Sequence, residues 1–188
     1  MTSTLRTLSL AAASAALLLT LAACSSGSPE STAGPSSTDE ASTSEIKTGA
    51  CEGDSGVTVV VDASALEGGS TDAWCVATDE TIIAADAFSI AAVQTEGTEE
   101  YGDQVVCRVN GLPTEDQALP AEDGTDYFET CESMPAAFAY WSLWVQPAGG
   151  EWGFAMEGAA TQQLEPGDAV ELLFTLNGEP AEPTALTS

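Results

Sequence analysis

Four cysteines, Cys51, Cys75, Cys107 and Cys131, stand 24, 32 and 24 residues apart, and this set constrains the fold more than any other feature of the chain. No two of them form a C-x-x-C and the chain has no histidine, so a structural zinc site lacks its usual ligand spacing. An even set in an oxidising compartment reads as two disulfides, with three connectivities open. The pairing we favour is Cys107–Cys131 with Cys51–Cys75. A bridge across such a loop stabilises the fold by about 3 kcal/mol in the chain-entropy model.

The fifth cysteine, Cys24, belongs to a different context. Residues 1–23 contain no acidic group, one arginine (Arg6) and an apolar run from Leu8 to Ala23. The run is too short and too rich in Ala and Ser for a membrane span of about 20 strongly apolar residues. It fits the h-region of a secretory signal followed by a small-residue cleavage site. The alternative, an uncleaved N-terminal anchor, leaves the cysteine at that spot unexplained. Leu21-Ala22-Ala23-Cys24 resembles the lipobox of bacterial lipoproteins. The resemblance implies that Cys24 is acylated and becomes the new N-terminus. It further implies a membrane partner through the lipid anchor and a location on the extracellular face of the cell membrane.

The remaining chain divides by composition. Residues 1–23 form the signal peptide, and residues 24–50 comprise the lipidated Cys24 and a tether nearly all Ser, Thr, Gly, Pro, Ala and acidic residues. With nothing to bury, such a tether is expected to be disordered. As a flexible coil it reaches roughly 25–30 Å. Residues 51–178 are read as one small domain and residues 179–188 as a polar tail that frays.

All 30 Asp and Glu follow Cys24 and face only Lys47 and Arg108, an excess of 28 negative side chains. Such a field repels phosphate backbones and excludes nucleic acid as a partner. A calcium-loop pattern of the D-x-[DN]-x-[DN]-G kind is missing, so the acidity reads as a solvated surface and no metal or cofactor is expected.

Val57-Thr58-Val59-Val60-Val61-Asp62 is a β-branched run and the first expected strand. Thr78 or Asp79 can cap a helix of about fifteen residues carrying Ile82, Ile83, Ala87, Ile90 and Val93, with Gly97 as its stop. Gln104–Val109 reads as a second strand and residues 112–134 as a long loop tied down by Cys131. Residues 139–145 and 151–156, joined by Pro147-Ala148-Gly149-Gly150, read as an aromatic hairpin, and Ala169–Leu176 as the last strand. One helix with about five strands gives an α+β domain, the helix packed across one face of a mixed or antiparallel sheet.

Chemistry is scarce. Without histidine no Ser-His-Asp or Cys-His arrangement can be built, and the one lysine after Cys24 lies in the tether. Carboxylate pairs could hydrolyse glycosides, but carboxylates this plentiful carry no signal. The chain does not read as an enzyme. What stands out is the hairpin, where Tyr140, Ser142 and Trp144 share one face and Trp141, Leu143 and Val145 the other. Trp152, Phe154 and Met156 follow across the turn. These aromatics are either cross-strand packing pairs or a platform for a ring-bearing ligand.

Val106-Cys107-Arg108-Val109-Asn110-Gly111-Leu112-Pro113, Tyr140-Trp141-Ser142-Leu143-Trp144 and Pro166-Gly167-Asp168 occur in that order. So arranged, about residues 57–176 resemble small secreted actinobacterial proteins related to the transcobalamin C-terminal-like domain. The resemblance implies a β-grasp-type fold with one helix on the sheet. It also implies binding of a small molecule of the corrinoid or cobalamin type presented to an uptake system. Tyr140, Trp141, Trp144 and Trp152 become the candidate contacts. The other reading is an envelope protein–protein interaction or structural module with no small ligand.

Overall fold

Strands begin before the first valine run. The computed structural model describes residues 46–184. The signal peptide, Cys24 and the tether as far as residue 45 lie outside the described residues, as do residues 185–188. The chain enters a sheet at β1 (Ile46–Thr48), ahead of the Cys51 boundary drawn from composition. β2 (Val57–Asp62) is buried along its whole length, as four stiff β-branched valines in six residues require. β3 (Thr71–Val76) folds back on β2 in antiparallel register from Val57↔Val76 to Asp62↔Thr71, and β1 adds to its far side with Lys47↔Cys75. The Cys51–Cys75 bond closes this corner with 4.7 Å between the Cα atoms.

The middle of the chain holds β4 (Ile82–Ile83), α1 (Ala84–Ile90) and the hairpin of β5 (Thr95–Thr98) with β6 (Gly102–Val109). The two-residue strands β7 (Leu119–Pro120) and β8 (Asp126–Tyr127) follow. Next come β9 (Ala139–Gln146), β10 (Gly153–Phe154), β11 (Gln163–Leu164) and β12 (Ala169–Leu176). The main sheet is mixed and six-stranded in the order β1-β3-β2-β12-β9-β10. Its one parallel contact joins β12 to β2, while β12 runs antiparallel to β9 over eight residues.

Side-chain alternation divides this sheet into two faces. Val57, Val59 and Val61 of β2, Val170, Leu172 and Phe174 of β12, and Trp141 of β9 meet Ala84, Ala87 and Phe88 of α1 and its C-cap Ala91 in one apolar cluster. Trp141 packs edge-on against Phe174 with 5.2 Å between ring centroids. Each buried Val, Leu or Phe side chain contributes on the order of 1.5–3 kcal/mol by leaving water. The helix therefore lies across one sheet face, as expected for an α+β arrangement. Among the described residues no helix is long and apolar enough to cross a membrane.

The helix itself is shorter than its apolar spacing predicts. Ile82 and Ile83 are extended and pair with Leu164 and Gln163 of β11. Tertiary pairing captures them because Leu164 is a fully buried anchor on the opposite strand. Thr78 does not cap the helix. Its hydroxyl donates to the Glu80 carbonyl and accepts from the Glu80 N–H, closing a local turn. The first helical N–H groups are satisfied instead by other chain carbonyls, Ala84 donating to Gln162 and Ala85 to Ala159. The helix stops at Ala92, whose φ of 57° breaks the right-handed run. Gly97 serves a different purpose in β5, where an added Cβ would fall on the Gly102 carbonyl.

The segment 112–134 also contains more structure than a loop. Asp123-Gly124 turns β7 into β8, with the Thr125 N–H and hydroxyl both donating to Asp123. The Cys107–Cys131 bond fixes its far end to β6. Beyond β12, Leu176 and Glu179 exchange backbone hydrogen bonds and Pro183 is buried, so part of the expected fraying tail packs back on the fold.

Arg108 is the electrostatic centre of this half. It is 5 % exposed, and its Nε donates to the Pro113 carbonyl at 2.9 Å. Nη2 donates to the Glu129 carbonyl at 2.6 Å, and Nη1 to Cys131 Sγ at 2.9 Å and Glu96 Oε1 at 3.1 Å. The buried Glu129 carboxylate in turn accepts the Cys131 N–H and the Tyr127 hydroxyl. Arg108→Met is expected to lower unfolding stability by about 3 kcal/mol, because buried carbonyls and a carboxylate lose their cation. Glu96→Gln, at a side chain 56 % exposed, is expected to cost well under about 1 kcal/mol. Urea unfolding of both variants with the disulfides intact checks the difference.

Candidate functional site

A groove opens on the helix side of the sheet. Leu172 of β12 and Trp141 and Leu143 of β9 reach it from the sheet, and Val105 and Val106 of β6 form a wall. The stretch Met134–Ala137 and the chain after β10, including Ala155 and Ala159, complete a cavity of about 680 Å³. A second cavity of about 510 Å³ lies beside α1, walled by Phe88 and Val93, and shares Asp103, Val106, Ala159 and Leu172 with the first. Volumes of this size are those that hold small organic ligands.

The four aromatic candidates separate here. Tyr140 and Trp141 line the larger cavity. Trp141 is also a core residue, its indole N–H donating to the Leu112 carbonyl at 3.1 Å, so only part of the ring reaches the cavity. Trp144 lies on the opposite sheet face with Ser142, to whose hydroxyl its indole N–H donates at 2.9 Å. It stacks under Phe154, 3.9 Å between centroids. Trp152 falls outside the paired part of β10 and outside the cavity. Its indole N–H has no acceptor among the described residues. Packing therefore explains Trp144 together with Phe154, and Trp141 is the aromatic that reaches the cavity from the core face, with Tyr140 and Phe154 lining its rim.

Sequence reasoning missed Phe154 as a contact, although its alternation with Trp152 and Met156 placed it on the hairpin. It also missed Asp103 and Glu157, the charged groups that line the larger cavity. Isolated acids in so acidic a chain give no signal of their own.

On the opposite face, β12 carries Glu171 beside Asp62 of β2, with Val60, Leu173 and Thr58 around them. Glu171 is 1 % exposed and no cation of the described residues pairs with it. Burial pushes its carboxyl from 4.5 up to about 8, with the nearby Asp62 charge adding to the shift. Glu96 and the sulfurs of Cys107 and Cys131 also lie within 4.8 Å of one another. Those sulfurs are bonded together and Arg108 already occupies the space, so the trio is no cation site.

No family model, no curated protein and no solved structure matches this chain.

The buried acid makes stability fall with rising pH. The unfolded chain releases the Glu171 proton near 4.5 while the folded chain holds it to about 8, so stability is full below the first value and declines between the two. Glu171→Gln is expected to raise the unfolding midpoint at pH 8 and to leave it nearly unchanged at pH 4. Thermal unfolding at both pH values checks this.

Proposed function

We propose that the chain is a lipid-anchored, non-enzymatic binding domain that holds a small, ring-bearing molecule at the cell surface. The observation that carries this reading is the apolar cavity of about 680 Å³ with Tyr140, Trp141 and Phe154 at its edge. The exposed Met134 and Phe154 at its margin favour an apolar occupant over water. The lack of any histidine supports binding without catalysis.

The resemblance to transcobalamin C-terminal-like domains supplies the candidate ligand class, a corrinoid-type cofactor handed to an uptake system. The strand order supports a β-grasp-type arrangement: an opening hairpin of β2 and β3, a helix across it, and a last strand returning parallel to β2. A corrinoid is larger than the cavity and would enter by one edge of its ring. The second reading is a protein-docking module, favoured by Met156, 93 % exposed next to the short edge strand β10.

Two measurements test the proposal. Cys24→Ala is expected to move the protein from the membrane fraction to the medium or the soluble fraction. Titration of the full chain with cobinamide, cobalamin and haem, followed by tryptophan fluorescence, is expected to give saturable quenching by a ring-bearing ligand. Ala137→Trp, an exposed position on the cavity wall, should abolish it. Absence of quenching by all three favours the docking module.

A further inference from the structure

The larger cavity is walled by backbone as well as side chains, and one residue of β9 leaves its backbone groups unpaired there. Successive residues of an antiparallel strand turn their N–H and C=O to opposite edges. The Leu143 carbonyl accepts from the Ala155 N–H on the β10 side, and the Ala139 N–H donates to the Ala136 carbonyl. Phe138, one residue out of step with these, turns its carbonyl the other way, to the Asn177 N–H beyond β12. Trp141 stands midway between Ala139 and Leu143, so its N–H and C=O point away from β12. β10 pairs with Val145 and Trp144 and does not extend to Trp141. Among the described residues none donates to the Trp141 carbonyl or accepts from its N–H.

This gap in the ladder opens on the cavity. Ala136 and Ala155, whose contacts bracket Trp141 along the edge, both line it, as Trp141 does. Trp141 is 8 % exposed. Main-chain donors and acceptors so deeply placed are nearly always paired, because leaving one dry costs as much as a lost hydrogen bond.

Strand geometry fixes what can pair with both groups of one residue. The partner needs an N–H and a C=O flanking a single α-carbon, which is an aminoacyl unit in extended form. A lone trans amide points its N–H and C=O in opposite directions and meets only one of them. The edge from Ala139 to Leu143 is roughly 14 Å long at a strand's rise and is closed by chain at both ends, so it admits about three residues. Val105, Val106 and Leu172 offer apolar contact beside it.

We infer that the cavity takes a short, extended apolar peptide that adds to the edge of β9 at Trp141. The inference rests on the small-molecule reading above and names the backbone chemistry of that molecule, its ring being a side chain.

The probe is acetyl-Val-Phe-Val methylamide, compared with its depsipeptide analogue, in which ester oxygens replace the three residue N–H groups. Isothermal titration uses the full chain carrying Cys24→Ala. The peptide is expected to bind at one site at least about tenfold more tightly than the analogue, which leaves the Trp141 carbonyl unpaired. Amide hydrogen exchange reads the contact directly. In the free protein the Trp141 N–H should exchange faster than those of Tyr140 and Ser142, which pair with β12, and bound peptide should remove that difference.

Equal binding of peptide and analogue, lost in Ala137→Trp, overturns the inference and leaves the binding cavity standing. A Trp141 N–H as slow as its neighbours in the free protein overturns it as well. Peptide binding that survives Ala137→Trp and leaves Trp141 exchange unchanged reports another surface and overturns it. Binding of neither probe overturns the inference, while the titration with cobinamide, cobalamin and haem judges the cavity reading separately.

Discussion

The parallel pairing of β12 with β2 is the contact on which the rest of the fold depends. The final strand comes back to lie between the opening hairpin and β9, buried on both faces except at Leu176. A parallel neighbour cannot be reached by a tight turn. The chain must therefore cross over the sheet, and it does so between β3 and β9, in the stretch that holds α1 and the β5–β6 and β7–β8 pairs. The groove is a product of that crossover, because its floor is β9 with Leu172 of β12 and its walls are segments of the crossing chain.

Much of this was legible residue by residue. The valine run at 57–62, the apolar run at 169–176 and the aromatic run at 139–145 all form strands, because burial on a pleated surface suits β-branched and aromatic side chains. The favoured cysteine pairing forms, and alternation separated Trp141, Leu143 and Val145 from Tyr140, Ser142 and Trp144, the first set proving to be the core face. Ile82 and Ile83 misled because a short apolar pair fits a helix face and a buried strand equally well. Leu164, far along the chain from its partner Ile82, decides between them, and local periodicity cannot see it. Asp123-Gly124 carried a hairpin signal, but the flanking pairs were too short to rise above a loop.

The site was less legible than the fold. An aromatic strand announces packing and binding with the same letters, and only the register puts Trp144 with Phe154 on one face and Trp141 on the other. Asp103 and Glu157 are two of 30 acids. Only their place in the lining of the groove sets them apart from the others. Arg108 is conspicuous in the sequence only by rarity, and the structure gives that one guanidinium a disulfide, two loop carbonyls and an exposed acid to serve.

The corner made by β1, β3 and the Cys51–Cys75 bond has a mechanical consequence. Any pull transmitted along the chain from its N-terminal side reaches the sheet at its outermost strand, whose three residues can be peeled from β3 one hydrogen-bonded pair at a time. The peeling stops at Cys51, where the load passes through a covalent bond into β3 and from there across the full antiparallel register with β2. The protein therefore meets tension with a short sacrificial zipper followed by a rivet, and the groove on the far side of the sheet stays unloaded.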